Sequence, residues 1–158
     1  MALYEHPSNN RSGPSQITGS MIKTPLTGVD ALTAYTVSFS SSQAILSTSI
    51  LVSSNPGPVV TIRYQHGTIT IATPIFAPHE FTVTYSMAKG QEETKTVKVE
   101  WEGVGWHFQA DEVARCVRDG KLQSEDWGWD KSALEMKIFD EVNVTSICMI
   151  FQLENASY

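Results

Sequence analysis

The chain is short of cysteine, of basic residues and of long apolar runs. Two cysteines, Cys116 and Cys148, stand among 158 residues. They are too few for a disulfide scaffold and form no Cys-x-x-Cys pair, so reduced thiols in a cytoplasmic protein are expected. Lys and Arg total 11 against 17 Asp and Glu, a formal charge of −6. With no basic stripe, neither nucleic acid nor an anionic membrane is an expected partner. No apolar stretch approaches the roughly 20 residues of a membrane span. Met1–Pro7 lacks the basic region and apolar run of a signal peptide. The sequons at Asn10, Asn143 and Asn155 are therefore read as chance matches. His6, His66, His79 and His107 lie far apart with no HxxxH or HxH spacing, which argues against a zinc site. No G-x-S-x-G nucleophile elbow occurs. Gly103-Val104-Gly105 precedes a helix but lacks G-x-G-x-x-G and a surrounding βαβ unit, so dinucleotide binding is not expected there.

What is present reads as one domain with 41% hydrophobic residues, enough for a core. Residues 5–19 are rich in Pro, Ser, Asn and Gly and read as an exposed loop. Strand-like segments follow. Ile17–Lys23 admits a short strand, and Ala31–Phe39 alternates. Gln43–Val52 is β-branched and ends at Asn55-Pro56-Gly57-Pro58. Val59–Tyr64 and Thr68–Thr73 flank Gln65-His66-Gly67, a hairpin signal. Glu80–Ser86 and Thr94–Trp101 alternate on either side of the polar turn Lys89-Gly90-Gln91-Glu92. About six strands in series with short turns favour antiparallel pairing, since parallel pairing needs long crossovers.

Two helices close the pattern. Gly105–Lys121 reads as one complete helix, with Ala110, Val113, Ala114 and Val117 on a single stripe. Asp111 and Arg115 are spaced for an ion pair, and Gly120 suits a left-handed stop. The small Ala110 and Ala114 suggest close packing on a flat partner such as a sheet. A second helix is expected from Asp130 as N-cap, with Ser132-x-x-Glu135 as a competing capping box. Leu134, Ile138 and Val142 line one face, widened by Met136 and Phe139. Asn143-Val144-Thr145 continues it poorly. The expected class is α+β: an open-faced, mainly antiparallel sheet of about six strands with two helices on one face.

Candidate chemistry rests on aromatic residues. Phe76 lies in a corner between Pro74 and Pro78 that could aim it at a ligand. Trp101 and Trp106 flank a strand-to-helix turn, and Trp127 and Trp129 surround Gly128. The plainer account has these rings filling the gap between sheet and helices. Glu92-Glu93 reads as a solvated turn tip, and Cys116 as packing rather than a reactive thiol. An independent enzyme using His107 and Asp111 is the weakest of the functional readings.

Several strings together carry a family resemblance. They are Lys23–Asp30, Gly67–Pro74, Trp106-His107-Phe108-Gln109-Ala110-Asp111-Glu112-Val113, Asp130-Lys131-Ser132 and Phe139-Asp140-Glu141-Val142. In order and spacing the chain resembles the C-terminal domain of the Gfo/Idh/MocA oxidoreductases. The branch is that of dimeric dihydrodiol dehydrogenases and NADP-dependent D-xylose dehydrogenases. The resemblance implies a substrate-binding and dimerisation domain over residues 1–142, followed by a divergent tail over 143–158. It implies a homodimer through the open sheet face, NADP in the full-length family, and a sugar or trans-dihydrodiol substrate. By motif position Phe76 and Trp101 match aromatics that contact substrate. The N-terminal Rossmann domain, its EKP-type lysine and a D-x-G-x-Y/H helix have no counterpart before Leu3. No catalytic residue is therefore assigned, and the chain alone is expected to be inactive. A non-catalytic dimerisation or binding module derived from the family is the alternative. The tail is expected to come from an altered splice or a gene-prediction product.

Overall fold

A computed structural model describes residues 1–52, 57–145 and 147–150. Its elements are α1 (Ala2–Glu5), β1 (Gln16–Lys23), β2 (Asp30–Ser38), β3 (Gln43–Ser49), β4 (Val60–Tyr64), β5 (Gly67–Ile71), β6 (Glu80–Ser86), β7 (Glu92–Lys98), α2 (Trp106–Arg118), α3 (Trp129–Thr145) and β8 (Ile147–Ile150). The class is α+β. The strands form two sheets, β3-β2-β1-β8 and β4-β5-β6-β7, where a single sheet of about six was expected. Hairpin pairing is local, so alternation finds each strand without saying which sheet it joins. Part of the expected break at Asn55-Pro56 lies outside the described residues. The chain divides into two compact units, one of residues 1–52 with the chain from 123 onward, the other of residues 53–122.

In the first unit, Ile17, Gly19 and Met21 of β1 register with Val37, Tyr35 and Thr33 of β2. Ala44, Leu46 and Thr48 of β3 continue these rows. With a period of two, all nine positions share one face. Val142 of α3 joins Ile17 and Val37 in a buried cluster, ringed by Tyr35, Phe39, Ala44 and Ile138. Fully burying a side chain such as Ile17 contributes about 1.5–3 kcal/mol. Met136 and Phe139, expected to widen this helix face, stay exposed.

The helix differs from expectation at both ends. It starts at Trp129, which puts Asp130 in the first turn, where a carboxylate complements the dipole, rather than at the cap. It continues through Thr145, past the β-branched run that reads as a poor helix. The Thr145 hydroxyl donates to the Glu141 carbonyl at 2.6 Å, the back-bond that lets such a residue sit in a helix. β8 then pairs in parallel with β1. Part of the 143–158 segment thus completes α3 and adds a strand. Residue 146 and residues 151–158, with the Asn155 sequon, lie outside the described residues.

The Pro/Ser/Asn-rich start is not simply an exposed loop. It holds α1 and a 3-10 turn over Pro7–Asn9. Asn9 is 1% exposed. Its amide nitrogen donates to the Leu3 carbonyl and the Ser42 hydroxyl, both at 2.7 Å. Its oxygen accepts from the Ser40 hydroxyl, the Ser41 hydroxyl and the Ser41 N–H at 3.0–3.3 Å. A buried amide with all these partners is no longer costly, and it ties residues 31–33 positions apart.

The second unit holds the other sheet and α2. Tyr64 pairs with Gly67 across the two-residue turn Gln65-His66, so His66 is a hairpin residue as expected. A Cβ at Gly67 would meet the Thr84 carbonyl oxygen at 2.5 Å, so only glycine fits there. Across the four strands, Thr61-Thr70-Thr82-Thr96 form one row, and Arg63-Thr68-Thr84-Thr94 form another on the same face. Two cross-strand threonine pairs hydrogen bond, Thr82–Thr96 at 3.2 Å and Thr84–Thr94 at 3.3 Å. The opposite face carries Val60, Ile62, Ile69, Ile71, Phe81, Val83 and Val97. Glu92 and Glu93 belong to β7 rather than to a turn tip, and both are exposed.

Helix α2 lies where the sequence places it, and Gly120 ends it at φ +66°. The expected close packing of its stripe is not seen: Val113 is 63% and Val117 75% exposed. Arg115 pairs with Glu112 at 3.4 Å and not with Asp111. Three and four residues are both within reach on a helix, so the rotamer chooses between the two acids.

Candidate functional site

Phe76 sits 75% exposed in the loop between β5 and β6. Within that loop the Ala77 N–H donates to the Pro74 carbonyl at 3.3 Å, and Ala77 is buried. The next residues extend the β6–β7 ladder, because the Val99 N–H donates to the His79 carbonyl at 2.8 Å. That bond brings His79 level with the turn that carries Trp101. Their rings stack with centroids 4.2 Å apart and planes at 17°. Phe108, in the first turn of α2, meets Trp101 edge-on at 5.6 Å and 78°. His107 tilts against Phe108 at 4.1 Å.

Gly105 completes the group at the start of α2, with φ at +85°. A Cβ there would lie 3.3 Å from the Ala77 Cβ and 3.8 Å from Trp101 Nε1. The loop of Phe76 and the turn of Trp101 therefore meet, through Ala77 and Gly105. His79 and Phe108 were not singled out from sequence as members of such a group. The ladder bond between His79 and Val99 spans 20 positions, and no local spacing signals it. The plainer account, rings filling a gap, does not describe Trp106 at 73%, Trp129 at 66% or Phe76 at 75% exposed. Trp127 is anchored by its indole N–H, which donates to the Ser132 hydroxyl at 3.0 Å.

Several charged side chains form ion pairs. Lys131 reaches Glu5 at 2.7 Å and Arg11 reaches it at 3.0 Å. The bond from Lys131, with help from Arg11, holds the Glu5 carboxyl below its usual value. Arg118 grips Asp119 through two nitrogens at 2.7 and 3.1 Å, which lowers that carboxyl. Burial, and then the Glu112 carboxylate, push the Cys116 thiol up, away from the reactive thiolate. Burial and the Glu135 charge likewise raise Tyr35. A depression of about 200 Å³ on the second sheet is lined by Pro58, Thr70, Ala72, Glu80, Phe81 and Thr82.

Among the described residues, no group of three or more His, Cys, Asp or Glu could hold a metal ion. No helix there is long and apolar enough to cross a membrane. Gly103 and Gly105 both take positive φ. The strand before them, β7, is antiparallel to its neighbour, so the parallel crossover that forms a dinucleotide cradle is not built by this turn.

No protein-family profile matches the chain. It is 31% identical over 154 residues to D-xylose 1-dehydrogenase (NADP(+)) of Hypocrea jecorina, covering 88% of this chain and 38% of that protein. The chain thus spans about two fifths of the length of that curated relative. The fold is shared with an oxidoreductase from Bacillus cereus, at TM-score 0.59 and 13% identity over 98% of this chain and 52% of the other. It is also shared with yvaA of Bacillus subtilis, at TM-score 0.59 and 13% identity over 85% of this chain and 46% of the other.

Proposed function

We propose a function from the premise that this chain is a relative of the Gfo/Idh/MocA oxidoreductases: it supplies the substrate-side wall of an NADP-dependent dehydrogenase acting on a sugar or trans-dihydrodiol hydroxyl. The observation that carries this reading is the 31% identity to D-xylose 1-dehydrogenase (NADP(+)) over most of the chain. The aromatic group around Trp101, and an exposed Phe76 in the loop whose Ala77 meets Gly105, support a role in holding a ring-shaped polyol. Flat aromatic faces and edges suit the apolar C–H faces of such molecules, while polar groups set orientation.

In this reading the chain orients substrate, and NADP, when bound by a cofactor domain, accepts or gives the hydride. Phe76 and Trp101 are binding residues, and no group here moves the proton. The partner is a second copy, paired through an open sheet face, in the cytoplasm. The purified chain mixed with NADP and D-xylose tests the reading. Weak or no NADP binding, no turnover, and saturable D-xylose binding that Phe76→Ala weakens are the expected results. Tight NADP binding with turnover by this chain alone would overturn it. The non-catalytic module is a second reading, favoured by the uncovered stripe of α2. Turnover on adding a separate NADP-binding domain would set that second reading aside.

A further inference from the structure

We infer that β3 is an edge-to-edge contact between two copies of this chain, paired antiparallel about a two-fold axis at Leu46. The contact runs along the sheet and not across its face, so it is separate from the face pairing proposed above and does not rest on substrate binding. β3 ends its sheet, bonded on one side only, to β2, among the described residues. The Ser42 carbonyl accepts from the Phe39 N–H, and the Ile50 N–H donates to the Ala31 carbonyl. The register between these bonds is unbroken, so the even-numbered residues turn their backbone groups to β2. Gln43, Ile45, Ser47 and Ser49 turn theirs outward, and all four are exposed.

Open edges are ordinarily guarded by charge, proline, a bulge or shortness. The second sheet carries Arg63 on one edge strand, β4, and Glu92, Glu93, Lys95 and Lys98 on the other, β7. β8, the far edge of the first sheet, has 4 residues. β3 has 7, with no charge, proline or glycine. No Asp, Glu, Lys or Arg occurs from Ala31 to Ile62, in a chain of formal charge −6. Two acidic copies repel each other. Along this stretch they can meet without opposing like charges, and the strand is complementary to itself. With Leu46 opposite Leu46 of the second copy, Ile45 faces Ser47 and Gln43 faces Ser49. Every outward N–H and C=O of β3 then finds a partner. Leu46, 39% exposed, falls in a close non-hydrogen-bonded pair with its counterpart.

The experiment follows the unaltered chain over a range of concentrations. Sedimentation should show a monomer–dimer equilibrium. The amides of Ile45, Ser47 and Ser49 should exchange slowly where the dimer is populated and fast on dilution, while Leu46 and Thr48 stay slow throughout. Ser47→Pro removes an outward N–H and no bond to β2, a change an edge strand tolerates. The donors lost, one from each copy, should weaken dimerisation about tenfold or more. A chain monomeric at every concentration would overturn the inference. A dimer in which amides 45, 47 and 49 exchange freely, or one that Ser47→Pro leaves as tight, would overturn it and leave face pairing standing. Protection of these amides that survives dilution to monomer would also overturn it, since a segment of the same chain then covers the edge. The exchange is read in the unaltered chain, so poor folding of the variant does not decide the outcome.

Discussion

In the first unit Ile17, Val37 and Val142 leave water together, because α3 lays an apolar edge on β1 and β2. In the second, Ile62, Ile69, Val83 and Phe81 line a face just as regular, yet none of them is fully buried. Ala77 is the one apolar residue of that unit, among those described, to drop below a tenth exposed. The strands of both units alternate, at 7–9 residues for β1 to β3 and 5–7 for β4 to β7. The difference is the covering layer, and alternation in a strand supplies only half of a core. The second unit instead spends its order on rows of threonine and on a ring cluster at one end, features that position groups rather than exclude water.

This contrast can be tested by deleting the same kind of side chain from each unit. Ile17→Ala should cost about 2–5 kcal/mol in urea unfolding, the usual range for a buried large-to-small change. Ile69→Ala, at a half-buried position, should cost under about 1 kcal/mol. Equal losses would break the comparison and place a covering layer over the second sheet too. Asn9→Ala comes next, at about 1–3 kcal/mol, because Ser40, Ser41, Ser42 and the Leu3 carbonyl lose a shared buried partner. Faster amide exchange at residues 40–42, with the second sheet unaffected, would sharpen the picture of two separately held units.

The smallest effect concerns acid. The Glu5 carboxyl is held below its ordinary 4.5, so its contribution is present above that value and is lost as pH falls through the lowered folded one. Lys131→Met should return the Glu5 titration upward, as read by carbon-13 shifts of the carboxyl. An unchanged titration would show that α1 and α3 are not coupled by charge.

Much of this architecture was legible residue by residue. The strands from β1 to β7 fall within a few positions of the alternating runs, and α2 matches its stripe, because period and turn chemistry are local. Three things were not legible. Asn9 reads as a loop residue because its serine partners lie 31–33 positions away in a run that also reads as loop. The split into two sheets is a matter of which edges meet, which alternation does not encode. The ring group was half visible: Phe76 and Trp101 stand out by type and by turn context. His79 joins only because the β6–β7 ladder runs one bond further than its alternation suggests.

The parallel pairing of β8 with β1 has a consequence for shortened forms of this chain. β8 shields the flank of Ser20–Lys23, half the length of β1. A polypeptide halted at Thr145 leaves those amides and carbonyls facing solvent beside an ordered ladder, a template onto which another extended chain can add. Such a product would be prone to fibrillar self-stacking.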